Sequence, residues 1–321
     1  MSNQIRICRL LFSFSWILLL ITEPTLIVAQ FAGNTPEERI DFSLVAKLEA
    51  LVKDFPGDVG IYVRHLSSGK VAAIKADELY PTASMIKVPI LVTLFNKISN
   101  GDLEYTGEQI YADSMLYPGE DILGSFKSGE KILLSKLVML MITMSDNTAS
   151  LWCQQLAGSG VEINKFLAAN GFKNTRMNSR TPGRKIDWQE YGWGQTSPRE
   201  MAELLVMIRK GKIASPAVCE EMYRVLCNIY WNGEALSQIP PHIQAASKQG
   251  AVNQSRSEVV LVNGPSGDYV FCIITNNQKD ESWTYENEGF VLIRKVSSLL
   301  WQHFEPDSKW QPPVDAQKWA K

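Results

Sequence analysis

The chain has 321 residues, 45% of them hydrophobic and 21% charged, with 32 basic against 34 acidic residues. That composition excludes wholesale disorder, collagen-like repetition and a coiled-coil rod. A net charge of -2 and a pI near 6.0 supply no basic field for a phosphate backbone, so nucleic acid is not an expected partner.

Residues 1–29 have the layout of a secretory signal. Arg6 and Arg9 give a positive start, Leu10 to Ile21 an apolar run shorter than a membrane span, Glu23-Pro24 a break, and Ala29 a small residue at the cleavage point. An uncleaved anchor is the alternative, because Thr25 to Ala29 prolongs the apolar character. Cys8 precedes the run, on the wrong side for a lipid-modified cysteine. The expectation is a secreted or periplasmic protein with no stable membrane span after cleavage. In that oxidising compartment Cys153, Cys219, Cys227 and Cys272 could pair in three ways, although Cys153 and Cys272 stand in apolar runs suited to buried free thiols. With His65, His242 and His303 as the only histidines, and no CxxC or HExxH, no metal or other cofactor is implied.

Thr35, Pro36 and Glu37-Glu38 predict a helix start, followed by apolar residues at helical spacing from Ile40 to Val52. Val59, Ile61 and Val63 alternate as a half-buried strand, and Val71 to Ile74 completes a hairpin across Ser68-Gly69. From about Pro81 to Gly233 successive apolar segments separated by Gly, Pro and Asn read as helices. After Pro240-Pro241 three strands follow, joined by turns at Asn253-Gln254 and Pro265-Ser266-Gly267, and then a helix over 290–304. This order predicts an α+β fold: an antiparallel sheet of about five strands built from both chain ends and packed against terminal helices, with a large helical insertion. The domain spans 30–304, with 35–76 and 243–304 as its α/β part and 81–233 as its helical part. A cleft falls at their junction, and 305–321 reads as a tail.

A Ser and a Lys three residues apart on a helix share one face, where the amine can take the hydroxyl proton and leave a nucleophile. Three such pairs occur. Ser67 to Lys70 and Ser128 to Lys131 stand in polar turns, whereas Ser84 opens the apolar helix SMIKVPILVTLF and Lys87 lies within it. There Ser84 faces the positive helix end, its own N–H can help bind an oxyanion, and a buried Lys87 can act as base in its neutral form. Ser145-Asp146-Asn147 follows another apolar helix and reads equally well as a helix cap. Lys248-Gln249-Gly250 lies on a strand and carries little signal alone.

As an ordered set, SxxK, SDN and K-x-G resemble the class A β-lactamases and their penicillin-binding-protein relatives. The flanks TASMIKVPIL, LMITMSDNTAS and GQTSPREMAELL resemble that family too, and the similarity runs from about residue 36 to 304. The resemblance implies Ser84 as acylated nucleophile, Lys87 as its proton partner and Ser145 as proton relay to the leaving nitrogen. It implies that Asn147 holds Lys87 and a substrate amide, that Lys248 supplies positive charge for a carboxylate, and that the N–H groups of Ser84 and Ala251 form the oxyanion hole. Gln249 departs from the usual Thr or Ser and could bind a carboxylate or crowd the site. Arg256 could bind a substrate carboxylate or be an exposed strand arginine.

The second departure concerns deacylation. Aligned without a gap, Thr181 stands where the family has its water-activating glutamate, and Lys185 where it has a water-binding asparagine. Ser179 and Gly194 replace the Arg and Asp that brace that loop. Asp187 or Glu190 could substitute as base, although each reads more simply as a solvated charge. The resemblance therefore implies a β-lactamase-like serine hydrolase, acting as a monomer on a β-lactam or cell-wall peptide, with slow deacylation. The alternatives are a D-alanyl-D-alanine carboxypeptidase-like or other peptide or amide hydrolase, and a non-catalytic binding protein on the same fold.

Overall fold

The computed structural model describes residues 36–119 and 122–315; the expected signal segment and Thr35 lie outside them. The first helix begins later than expected, because two local interactions win over the Pro36 signal. Arg39–Ile40 (β1) pair in parallel with Lys70 and Val71, and the Asp41 carboxylate accepts from the Leu44 N–H at 3.1 Å, capping α1 (Phe42–Val52). Ile40 is consequently exposed rather than buried.

Next come β2 (Asp58–His65), β3 (Lys70–Ile74) and β4 (Tyr80–Pro81), then a 3-10 turn over Ala83–Ile86 that runs into α2 (Lys87–Ser99). The helical block continues through a β5–β6 hairpin (Glu108–Ile110, Lys131–Leu133), α3 (Leu134–Met139), a π-helical turn (Leu140–Met144), α4 (Asn147–Leu156) and α5 (Ser159–Ala169). A loop holds β7 (Arg176–Met177), α6 (Lys185–Tyr191) and β8 (Gly194–Thr196), followed by α7 (Pro198–Arg209) and α8 (Pro216–Leu226). The chain closes with β9 (Ala245–Val252), β10 (Ser255–Gly264), β11 (Gly267–Asn276) and α9 (Glu288–Phe304).

The strand order of the main sheet is β1-β3-β2-β11-β10-β9, antiparallel except at β1, so both chain ends build it as the sequence implies. Five longer strands and the two-residue β1 make six. The reading of β2 as half-buried needs correction, because all but its first residue are buried. Alternate side chains enter two different cores. Tyr62, Val259, Leu261, Val270, Cys272 and Ile274 pack with α2 and α7, while Ile61, Val63, Val260, Phe271 and Ile273 pack with α1 and α9. Helices on both faces thus convert a period-2 pattern into complete burial.

None of Cys153, Cys219, Cys227 and Cys272 is in a disulfide. The start of the presumed tail is tied down, since Glu305 accepts from the Ser266 N–H and hydroxyl at 2.8 Å each. Among the described residues no helix is long and apolar enough to cross a membrane.

Candidate active site

The edge strand β9 and the 3-10 turn of Ser84 lie against each other at the junction of sheet and helical block. Gly250 makes this approach possible. A Cβ there would stand 2.7 Å from the Thr82 carbonyl oxygen and 2.9 Å from the Ser84 nitrogen, closer than side-chain carbons come to other atoms. The turn is itself tight: Ala83, immediately before Ser84, has φ of 43°, a conformation that costs about 1–3 kcal/mol for a residue with a side chain. Such strain persists only where surrounding structure holds it, and here the buried helix α2 starts directly after the turn.

Lys87 is fully buried at the first position of α2. Its Nζ lies 3.1 Å from Ser84 Oγ, 3.0 Å from Ser145 Oγ, 2.5 Å from the Ser145 carbonyl oxygen and 2.9 Å from Asn147 Oδ1. Residues 58 and 60 positions apart in sequence are therefore gathered on one amine. Ser145 reaches it because the π-helical turn ends in a left-handed residue: Ser145 has φ of 60°, which turns its hydroxyl and carbonyl back toward α2. Asp146 then caps α4, accepting from the Ala149 N–H at 2.7 Å and from the Leu123 N–H at 3.1 Å. The reading of SDN as a helix cap is met by Asp146, while Ser145 and Asn147 on either side of it lie at the Lys87 amine.

Lys248 is also fully buried, with Nζ 3.1 Å from Ser145 Oγ. Ser145 Oγ thus stands between two amines. Burial, and then the charge that Lys87 carries when protonated, push Lys248 well below the ordinary range of a lysine, while Glu258 acts in the opposite sense. Gln249 turns its Oε1 onto the same Nζ at 2.9 Å, so Nε2 is the atom of its amide that can donate to a carboxylate. Ala251 lies two residues on, half-buried on the same edge strand.

Arg256 is not brought to the site. Its Cα pairs with Ala251, but the side chain is fully buried: the guanidinium donates to the carbonyls of Asn253, Ser255 and Ser282 and is sandwiched between Trp283 and Phe290. Arg256 is therefore not an exposed strand arginine, and its two terminal nitrogens are engaged by carbonyls of the β9–β10 turn and of Ser282 rather than open to a substrate carboxylate.

The loop after α5 differs again from expectation. The Thr181 hydroxyl donates to the Ser179 carbonyl at 3.0 Å, and its side chain lies on α5, where a Cβ on Gly160 would fall 1.7 Å from Thr181 Oγ1. Lys185 is exposed at the start of α6. Asp187 is held by Arg184 at 3.3 Å, and Glu190 is exposed against the Tyr191 hydroxyl. With Ser179 and Gly194 unable to brace the loop, Arg184 does so. Its guanidinium donates to Asn178 Oδ1 at 3.0 Å and to Gln195 Oε1 at 2.6 Å, joining the loop's start to β8. Sequence reasoning missed this brace, because Arg184 carries no motif and acts only through the loop's fold. It also missed Glu258, buried on β10, which accepts from Ser247 Oγ at 2.6 Å and the Ala235 N–H at 2.9 Å. Burial raises this carboxyl to about 7 despite those bonds.

A hydroxyl facing an amine, with a second hydroxyl shared between two amines, can take a proton from one oxygen and return it to a leaving atom nearby. Comparison with known proteins agrees with that chemistry. The model of the beta-lactamase enzyme family matches residues 43–304. Beta-lactamase VEB-1 of Pseudomonas aeruginosa is 19% identical over 273 residues, which cover 82% of this chain and 90% of that protein. A beta-lactamase of Streptomyces albus G is 23% identical over 264 residues, covering 76% and 80%. The structure of PBP-A superposes with a TM-score of 0.76 at 27% identity over 85% of this chain and 99% of that one, and a mutant of it in acyl-enzyme complex with penicillin G superposes at 0.75. The chain therefore belongs to the beta-lactamase enzyme family, as a serine hydrolase of the class A β-lactamase and penicillin-binding-protein-like kind.

Proposed function

We propose that the chain is an exported enzyme that opens the β-lactam amide through an acyl-enzyme on Ser84 and releases the product slowly. The observation that carries this reading is Lys87 Nζ at 3.1 Å from Ser84 Oγ and 3.0 Å from Ser145 Oγ. Ser84 Oγ attacks the lactam carbonyl carbon while its proton passes to neutral Lys87. The oxyanion is held by the N–H groups of Ser84 and Ala251. As the C–N bond breaks, a proton returns from Lys87 through Ser145 to the leaving nitrogen, which leaves an ester on Ser84. Lys248 draws the substrate carboxylate toward Ser145, and Asn147 orients Lys87 and the substrate amide. Water must then attack the ester, and its proton needs a base.

Slow deacylation is supported by the loop. Thr181 faces Ser179 and Gly160, Asp187 is paired with Arg184, and Glu190 lies outside against Tyr191. The same facts favour a second reading, a D-alanyl-D-alanine carboxypeptidase-like activity on cell-wall peptides, and the likeness to PBP-A adds to it. Purified protein mixed with a chromogenic β-lactam separates them. A burst of about one equivalent followed by negligible turnover supports the peptidase reading, and a burst followed by slow but sustained turnover supports a β-lactamase. Absence of both burst and turnover contradicts either enzyme and leaves a binding protein on this fold.

A further inference from the structure

The last carbonyls of a helix have no partner within it, and a helix that ends in a left-handed residue must find donors elsewhere. At the π-helical turn those donors come one after another. The Thr143 carbonyl accepts from the Tyr230 N–H at 3.1 Å, the Met144 carbonyl from the Trp231 indole N–H at 2.8 Å, and the Ser145 carbonyl from Lys87 at 2.5 Å. Tyr230 and Trp231 belong to the segment after α8 and stack edge to face, with ring centroids 5.2 Å apart. Both rings remain more than a third exposed, so they rest on this turn from outside and do not fill the core.

We propose that Trp231 is a positioning residue for Ser145. Its indole N–H fixes the Met144 peptide, which sets the left-handed geometry of the next residue and hence the place of the Ser145 hydroxyl between Lys87 and Lys248. The inner carbonyl of the turn is held by Lys87 and the outer two by the 230–231 segment. Loosening the outer hold lets the Ser145 hydroxyl leave the line between the two amines, while Ser84, Lys87 and Lys248 keep their own supports in α2 and β9. This inference rests on the reading of Ser145 as proton relay.

The test measures the acylation rate of Ser84 by stopped-flow mixing with a chromogenic β-lactam, in the wild type, Trp231→Phe, Ser145→Ala and the double variant. Trp231→Phe keeps an aromatic ring and removes the donor, so the expected result is acylation slower by about tenfold, with the half-saturating concentration nearly unchanged. In the Ser145→Ala background the same change is expected to have no further effect. Thermal melts show whether each variant is folded. Should Trp231→Phe melt early, Trp231→His restores a ring N–H and is expected to recover part of the rate. Equal acylation by Trp231→Phe and wild type overturns the proposal, as does a tenfold loss that persists without the Ser145 hydroxyl. If Ser145→Ala itself acylates at the wild-type rate, the relay reading fails and takes this inference with it.

Discussion

Replacing Asp146 by alanine removes one carboxylate that serves two buried donors, and the structure sets the size of the loss. Asp146 is 2% exposed; one oxygen caps α4 through the Ala149 N–H at 2.7 Å and the other accepts from the Leu123 N–H at 3.1 Å. Loss of the cap costs about 1 kcal/mol. The Leu123 N–H, on a residue with no exposure, becomes a buried donor without an acceptor, which costs about 1–3 kcal/mol more. The expected destabilisation is therefore about 2–4 kcal/mol, a drop in melting temperature of roughly 3–7 °C for a domain of this size. Asp146→Asn retains one acceptor but sets an amide N–H against the other donor, so it is expected to fall between alanine and wild type. Urea unfolding followed by far-UV circular dichroism measures both. An alanine variant within about 0.5 kcal/mol of wild type would refute the reasoning, since it would mean that Asp146 holds neither the start of α4 nor the Leu123 N–H.

Other outcomes follow from the same geometry. Arg184→Ala, which cuts the bonds to Asn178 and Gln195, is expected to speed proteolytic nicking within residues 178–193 and to cost about 1–3 kcal/mol in thermal unfolding. Thr181→Glu is expected to leave the lifetime of the penicillin acyl-enzyme within about threefold of wild type, read by intact mass spectrometry, because position 181 faces Gly160. Glu258 keeps its proton up to about 7 in the folded protein, against 4.5 ordinarily, so the folded state binds more protons between those values and stability falls as pH rises through that window. Glu258→Gln is expected to abolish that slope in urea titrations at pH 5 and 8. Because Lys248 is depressed, its cation is present at low pH and lost on the way up, so acylation by an anionic β-lactam is expected to decline at a pH well below 10.5.

The parts of the site that the sequence made legible are those whose meaning is local. Ser84 and Lys87 are one helical turn apart, and the apolar run behind them distinguishes them from the polar pairs at Ser67 and Ser128. Ser145 and Asn147 flank a capping residue, and the alternation of β9 to β11 carries Lys248 to the sheet edge. What escaped depends on distant backbone. The start of α1 was misplaced because β1 pairs with β3. Burial of β2 on both faces requires helices from both ends of the chain. Arg256 stands in the expected strand register, yet its direction is decided by carbonyls of the 253–255 turn and of residue 282. The indole of Trp231 reaches a carbonyl 87 residues earlier, and no spacing rule announces such a bond.

The central claim is covalent chemistry at Ser84, and intact-protein mass spectrometry after brief exposure to penicillin tests it most directly. The expected result is one adduct of the whole penicillin mass, placed on the peptide that contains Ser84, lost in Ser84→Ala and persisting for minutes or longer after free drug is removed. Unmodified protein at every concentration and time, or an adduct that survives Ser84→Ala, would contradict the account.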